Sequence, residues 1–264
     1  MSNQNFFTPK RLILALFNSS QIAEIEARTL IECAKVFGIE PAATRVALGR
    51  LIKERIIHSV ARGLYKIGPR GAQLTDHASK WSSTEDRLKP WDGHWLTIHT
   101  AHLGRSNKTS LRARERALCF SGFAELAPDL WCRPNNYCET AKETLARLIS
   151  SGLDPNAILM HVDNFPQQSM QNMNSLWPIR KIESGYRQSI QNLEDSSARL
   201  KKINIEDAIQ ESLVLGDKVI KQINSDPALP DEMINTNLRA KLIDTMDSYN
   251  KHGCEIWAEF LQNL

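Results

Sequence analysis

Arginines, small residues and apolar residues alternate between positions 41 and 55 in a way that suits contact with nucleic acid. Thr44, Leu48 and Leu51 stand at i, i+4 and i+7, so a helix in this stretch would bury a narrow stripe that also includes Ala47. The opposite face would carry arginines, which read guanine O6 and N7 through two hydrogen bonds, and small residues, which let a helix lie close to base pairs. A glycine inside a helix costs about 1 kcal/mol relative to alanine, and close approach to DNA would compensate for that cost. The residues that we predict to contact DNA from this face are Ala42, Ala43, Arg45, Val46, Gly49 and Arg50.

Further cations follow this stretch and fit contacts with DNA phosphates, which supply affinity and register rather than sequence recognition. Residues 1–80 contain twelve Lys and Arg against six Asp and Glu, a net charge of +6, which leaves −3 for the rest of the chain. Such a division indicates that only one end meets a polyanion. The alternatives are chance scatter of the charges and a basic helix face that is merely solvated. The residues that we predict to contact phosphate are Lys53, Arg62, Lys66 and Arg70.

The elements that would position these residues are helices followed by a hairpin. Thr8-Pro9 supplies an N-cap and a proline at the first helical position, Gly38 ends the second helix, and Gly63 allows a tight hairpin turn. In a winged helix-turn-helix, one helix lies in the major groove and the hairpin reaches alongside it. We therefore predict a winged helix-turn-helix DNA-binding domain over residues 1–81. Its predicted helices cover residues 9–17, 24–37, 41–55 and 74–81, and its predicted strands cover residues 56–60 and 64–67.

The rest of the chain predicts two further domains after a polar linker at 82–90. The middle domain, residues 91–165, has the order β-α-β-β-α-β, which is typical of a ferredoxin-like fold. Residues 168–264 contain no convincing strand and predict a helical domain, so the fold class is α+β. The predicted strands of the middle domain cover residues 94–103, 123–126, 130–133 and 157–162, and its helices cover 109–120 and 138–151. The helices predicted for the C-terminal domain cover 176–202, 205–223 and 231–264.

Cysteine usage and hydrophobicity favour a cytoplasmic protein. The five cysteines are odd in number, widely spaced and without a C-x-x-C pair, which fits reduced thiols better than a disulfide framework. The apolar stretch at 12–17 is shorter than the roughly 7–15 residues of a signal peptide's hydrophobic core. No run approaches the roughly 18 apolar residues of a membrane span.

Signatures of catalysis and of cofactor binding are missing from the sequence. It contains no G-x-G-x-x-G, no P-loop and no G-x-S-x-G nucleophile elbow. His99 and His102 stand three apart on a predicted strand, where their side chains would point to opposite faces and share no metal. We therefore predict no catalytic residue, no metal and no cofactor. The alternative is a metal-dependent nuclease that the winged helix delivers to DNA, with Asp129 and Asp163 as its candidate ligands.

Several motifs follow one another along the chain: the recognition-helix pattern at 44–51, the wing at 62–66, the tryptophan motif at 91–95 and the D-P-x-L-P element at 226–230. In this order they resemble the motifs of the PaaX-like family of bacterial transcriptional regulators, the phenylacetate-catabolism repressors. The resemblance implies a repressor of a catabolic operon that leaves DNA when it binds a small-molecule effector, a coenzyme A thioester of an aromatic acid. One departure is Arg55, which stands where the family commonly has a glycine at the end of the recognition helix.

An effector site and a dimer interface complete these expectations. Coenzyme A would need a cationic patch for its phosphates, and basic residues cluster at the start of the helix predicted at 109–120, where the helix dipole favours anions. Regulators of this class pair two recognition helices across DNA half-sites, so we predict a homodimer. The apolar edge at 256–261 would either bury a partner or pack internally. The predicted effector-binding residues are Arg105, Lys108, Arg112 and Arg116.

Overall fold

The computed structural model describes residues 7–19, 23–166, 173 and 175–264. In this part of the chain, long helices combine with a three-stranded and a four-stranded antiparallel sheet, so the predicted α+β class is confirmed. Contacts divide the chain into two compact units. Unit 1 contains Met1–Trp81, Ile190–Ile220 and Asp244–Leu264, and unit 2 contains Ser82–Ser189 and Lys221–Ile243. Within the described ranges, no helix has the length and hydrophobicity to cross a bilayer.

The first part of unit 1 is built from four helices and a small sheet of order β1-β3-β2. Gly38, with φ 68°, follows the second helix, and Gly63, with φ 78°, occupies the hairpin turn, as the sequence predicted. The elements are α1 (Pro9–Ser19), β1 (Glu24–Glu26), α2 (Ala27–Val36), α3 (Pro41–Lys53), β2 (Ile57–Ala61), β3 (Leu64–Ile67) and α4 (Pro69–Ser79).

Two boundaries in this region differ from the predicted ones by more than two residues. Residues 24–26, predicted as helix, form strand β1, which buries Ile25 between two exposed glutamates and pairs with β3. A three-residue strand is too short to show in a sequence pattern, and its hydrogen bonds depend on a partner about 40 residues away. Helix α4 begins at Pro69, five residues before the predicted start. Pro69 takes the first helical position, where its missing N–H costs nothing.

The four-stranded sheet of unit 2 has the order β5-β6-β4-β7, and every neighbouring pair of strands is antiparallel. Its core contains Leu96 and Ile98 from the sheet and Leu118 and Leu148 from the helices. The helix that contains Leu148 begins with a capping box, in which the side chains of Thr140 and Glu143 each bond the other's backbone N–H. The elements are β4 (Trp95–His99), α5 (Lys108–Phe120), β5 (Ala124–Ala127), β6 (Leu130–Pro134), α6 (Ala141–Ser150) and β7 (Ile158–Val162).

The segment Ser82–Pro90, predicted as a linker, is an ordered part of unit 2. It forms two 3₁₀ turns, Lys80–Ser83 and Glu85–Arg87, the first of which begins in unit 1. The Glu85 carboxylate accepts a hydrogen bond from Nε of the buried Arg239 at 2.7 Å. Polar composition predicted a linker here because the partner of Glu85 lies 154 residues further along the chain.

Three long helices follow: α7 (Ile179–Leu200), α8 (Ile205–Asn224) and α9 (Thr236–Gln262). The prediction of three helices separated near Asn204 and at 226–230 is confirmed, although the last begins at Thr236 rather than near 231. The helices contribute residues to both units, and the segmentation into domains 1–81, 91–165 and 168–264 stays a prediction. Residues 167–172 and 174, at the start of the predicted C-terminal domain, lie outside the described residues.

The apolar edge near the end of α9 packs internally within unit 1. Ile256, Trp257 and Phe260 are all buried, and the Trp257 ring stacks on that of Phe37 with centroids 6.4 Å apart. Of the two uses that the sequence left open for this edge, the structure shows internal packing. The predicted homodimer therefore stays a prediction without an assigned interface.

Candidate nucleic-acid interface

Helix α3 has one buried stripe and one exposed face. Thr44, Leu48 and Leu51 are at most 3% exposed, so the predicted stripe is confirmed at these positions, while Ala47 is only partly buried. At 100° per residue, the exposed side has a straight row at i, i+4, i+7 and i+11 that runs roughly 16 Å along the helix. We call it the central row, and it consists of Ala42, Val46, Gly49 and Lys53, all of them exposed.

Two arginines flank the central row. Arg45 and Arg50 are exposed and lie about 70° to either side of it by helical geometry. Ala43, also exposed, lies on the same side of the helix as Arg50, two turns nearer its start. Six of the predicted DNA-contacting residues are thus brought onto one face, together with Lys53 at its C-terminal end.

The cations of this face have no acidic residue beside them within α3. Helix α3 contains three cations and no Asp or Glu. Within the part of the chain that the structure describes, none of the six predicted DNA-contacting cations forms an ion pair, whereas Lys10 pairs with Glu54 and Arg105 with Asp129. Cations without an ion-pair partner stay available to an external polyanion. The six cations are Arg45, Arg50, Lys53, Arg62, Lys66 and Arg70.

Nothing in the part of the chain that the structure describes requires glycine at position 49. A Cβ added at this position would meet nothing within 4 Å, and the position is exposed. By contrast, a Cβ at Gly71 in α4 would collide with the backbone oxygen of Ile56. Since glycine inside a helix costs about 1 kcal/mol relative to alanine, the cost at Gly49 is not offset by packing within the chain.

The end of α3 and the start of α4 form a second cationic area. Lys53, Arg55 and Arg70 line one open groove together with Glu54 and Pro69. A hydrogen bond from Lys10 Nζ, 2.7 Å from the carboxylate of Glu54, lowers the pKa of that carboxyl below its ordinary value. Glu54 is therefore charged near neutral pH, and Lys10 balances its charge.

The hairpin presents two of the predicted phosphate-contacting residues in different surroundings. Arg62 lies in the turn directly before Gly63 and two residues after the exposed Val60. Lys66 is paired in register with Glu24 of β1 on one side and with His58 of β2 on the other. Glu24 is a neighbour that sequence reasoning missed, because residues 24–26 were predicted as helix.

The two carboxylates of the alternative nuclease site lie at opposite ends of β4. Thr100, just after β4, donates its N–H to the backbone oxygen of Asp129, whereas His94, just before β4, lies 3.8 Å from the Asp163 carboxylate. Six residues of extended chain separate these positions by roughly 20 Å. Asp129 is moreover paired with Arg105 at 2.6 Å. Among the described residues, no group of three or more His, Cys, Asp or Glu side chains could hold a metal ion.

The prediction about the two histidines was wrong in its geometry. Strand β4 ends at His99, so strand alternation does not apply to His102, and the two rings stack with centroids 5.5 Å apart. Nε2 of His102 lies 2.8 Å from the backbone oxygen of Asn156.

The predicted effector-binding residues are only partly brought together. Arg105 is paired with Asp129, and the backbone N–H groups of Thr109 and Ser110 in the first turn of α5 donate to the side chain of Asn107. Arg112 and Arg116 line an open groove with Phe120, which is 63% exposed. Lys108 is exposed at the start of α5. Binding of an effector here stays a prediction.

Comparison with known proteins bears on the fold alone. No protein-family profile matches the sequence, and no curated protein matches it. Among solved structures, the fold is similar to that of the uncharacterized protein Rv0674 from Mycobacterium tuberculosis, with a TM-score of 0.64 over 95% of this chain and 99% of that chain. The two sequences are 18% identical, so the likeness concerns the α+β architecture.

Proposed function

We propose that this protein is a sequence-specific transcriptional regulator that binds double-stranded DNA, with α3 as its recognition helix. The observation that carries the proposal is the exposed face of α3. This face has two arginines that form no ion pair among the described residues. Its central row has no long side chain before Lys53, and it includes Gly49, where packing among the described residues does not require glycine. Arginine and close backbone approach are what major-groove reading requires.

The order and pairing of the elements support a winged helix-turn-helix in unit 1. Helices α2 and α3 are joined by a short turn at Gly38, and the β2–β3 hairpin follows α3 directly. In such a domain the second helix enters the major groove and the hairpin lies beside it as a wing. In unit 2, the sheet order and its antiparallel pairing support the ferredoxin-like assignment.

The proposal divides the cations between two roles. Arg45 and Arg50 flank the central row and are assigned to base edges. The others lie at the end of α3, on the hairpin and at the start of α4, and are assigned to phosphates, where they add affinity that falls with salt. The phosphate-contacting residues are Lys53, Arg62, Lys66 and Arg70.

The biological setting of the proposal comes from the family resemblance. We infer a cytoplasmic repressor of a catabolic operon that a small-molecule effector, a coenzyme A thioester, releases from DNA. A homodimer would place two copies of α3 on half-sites about 10–10.5 base pairs apart or multiples of that spacing. The nuclease alternative is not favoured, because its two candidate carboxylates lie at opposite ends of β4.

The proposal is tested by selecting fragments of the source genome that bind the purified full-length protein. A selected fragment should bind at least 10³-fold more tightly than a scrambled duplex at physiological salt. A variant with Arg45 and Arg50 both changed to Ala should lose that preference. Lys251→Ala is a matched control, because Lys251 is an exposed cation of unit 1 that lies about 200 residues after α3 in the sequence. It pairs with Asp247, one helical turn away in α9. Equal binding of selected and scrambled duplexes by the unmodified protein would contradict the proposal.

A further inference from the structure

Val46 is an exposed apolar side chain at the centre of the cationic face of α3. It is 55% exposed, whereas the apolar residues of the opposite stripe of α3, Leu48 and Leu51, are at most 3% exposed. Helix propensity does not favour it either, because valine is a weaker helix former than alanine. Neither the core nor the local backbone therefore accounts for valine at this position.

The neighbours of Val46 leave its methyl groups open to a partner surface. In the central row, Ala42 precedes it by one turn and Gly49 follows by one turn, and neither has a side chain longer than a methyl group. Lys53 lies about 10 Å further along the helix axis. Val46 is thus the outermost apolar group of the row, between Arg45 on one side and Arg50 on the other.

Charge complementarity identifies the surface that covers this face. Helix α3 has three cations and no acid, so its positive charge attracts a polyanion rather than an apolar protein surface. In the major groove of a DNA duplex, the apolar group exposed on a base edge is the 5-methyl group of thymine. Guanine, which arginine reads, offers only acceptors there.

We infer that Val46 contacts the 5-methyl group of a thymine that lies between the base pairs read by Arg45 and Arg50. The inference rests on the proposed DNA-binding function and adds the identity of one base to it. Val46 thereby determines specificity through an apolar contact, whereas the two arginines do so through hydrogen bonds.

The test uses the full-length protein and the duplex selected in the genomic experiment. Each thymine is replaced in turn by deoxyuridine, which removes the methyl group and leaves all hydrogen-bonding atoms in place. At one position in each half-site, the replacement should weaken binding by about three- to fivefold, the effect of losing one buried methyl group. In the Val46→Ala variant, the same replacement should have no effect at that position.

Ile52→Ala is the matched control, because Ile52 is an apolar residue of α3 that is 38% exposed but lies outside the central row. It should keep the unmodified protein's sensitivity to deoxyuridine. Specific binding without a sensitive thymine, or a Val46→Ala variant that keeps the full sensitivity, would overturn the inference and leave the proposed function intact. An unmodified protein that does not distinguish selected from scrambled DNA would overturn both.

Discussion

The backbone N–H of Ile56 donates a hydrogen bond to the carbonyl oxygen of Leu51 at 2.9 Å and closes the end of helix α3. Together with the bond from the Arg55 N–H to the Ile52 oxygen, this is a Schellman motif, which needs a left-handed residue between helix and hairpin. Arg55 is that residue, with φ 56°. The proposed recognition helix and wing are therefore joined through one backbone conformation that arginine adopts at a cost.

We predict that Arg55→Gly stabilises the free protein. Glycine adopts positive φ without the steric penalty of roughly 1–2 kcal/mol that other residues incur, so the free energy of unfolding should rise by about 1 kcal/mol. Denaturant unfolding measures the change. Arg55→Ala keeps the penalty and removes the cation, and it should bring no such gain. A less stable Arg55→Gly protein would contradict the account of this helix end.

We predict opposite effects of Gly49→Ala on stability and on DNA binding. The added Cβ meets nothing in the free protein, so α3 should gain about 1 kcal/mol, while the same methyl group should obstruct close approach to DNA and weaken specific binding. Gly253→Ala in α9 is the matched control, because its Cβ would make ordinary contact with Ser212. That control should gain stability and bind DNA unchanged. Undiminished affinity in Gly49→Ala would argue against contact at this face.

Glu24→Gln should strengthen binding to every duplex without changing sequence preference. The substitution removes a negative charge from the strand position paired with Lys66, so the attraction of Lys66 to phosphate rises. The expected gain is roughly twofold to fivefold at low salt, the size of an exposed charge interaction. Fluorescence anisotropy on selected and scrambled duplexes measures it, with Glu255→Gln, exposed on α9, as the control. Unchanged binding by Glu24→Gln would contradict the assignment of Lys66 to phosphate.

Glu85→Ala should lower the free energy of unfolding by about 2 kcal/mol, because it removes a charged hydrogen-bond partner from the buried Arg239. Asp86→Ala changes the neighbouring exposed carboxylate and should have little effect. Chemical denaturation of both variants tests whether residues 82–90 are part of the folded unit. Equal stability of the two variants would restore the linker interpretation.

The sequence predicted the structural features that depend on residues close together along the chain, and it missed those that depend on distant partners. The buried stripe of α3 and the turn at Gly63 arise within one helix and one hairpin, so periodicity and residue type predicted them. Strand β1 and the Glu85–Arg239 pair depend on partners about 40 and 154 residues away, which no local pattern shows. The stacking of His99 on His102 was missed because it depends on where β4 ends.

The most direct test of the central claim, that α3 reads sequence while the hairpin holds phosphate, compares Arg45→Ala with Lys66→Ala on selected and scrambled duplexes over a range of salt concentrations. Arg45→Ala should lose about 1–3 kcal/mol on the selected duplex and much less on the scrambled one. Lys66→Ala should lose affinity equally on both and reduce the salt slope by about one. A loss for Arg45→Ala that is the same on both duplexes would contradict the assignment of α3 as the recognition helix.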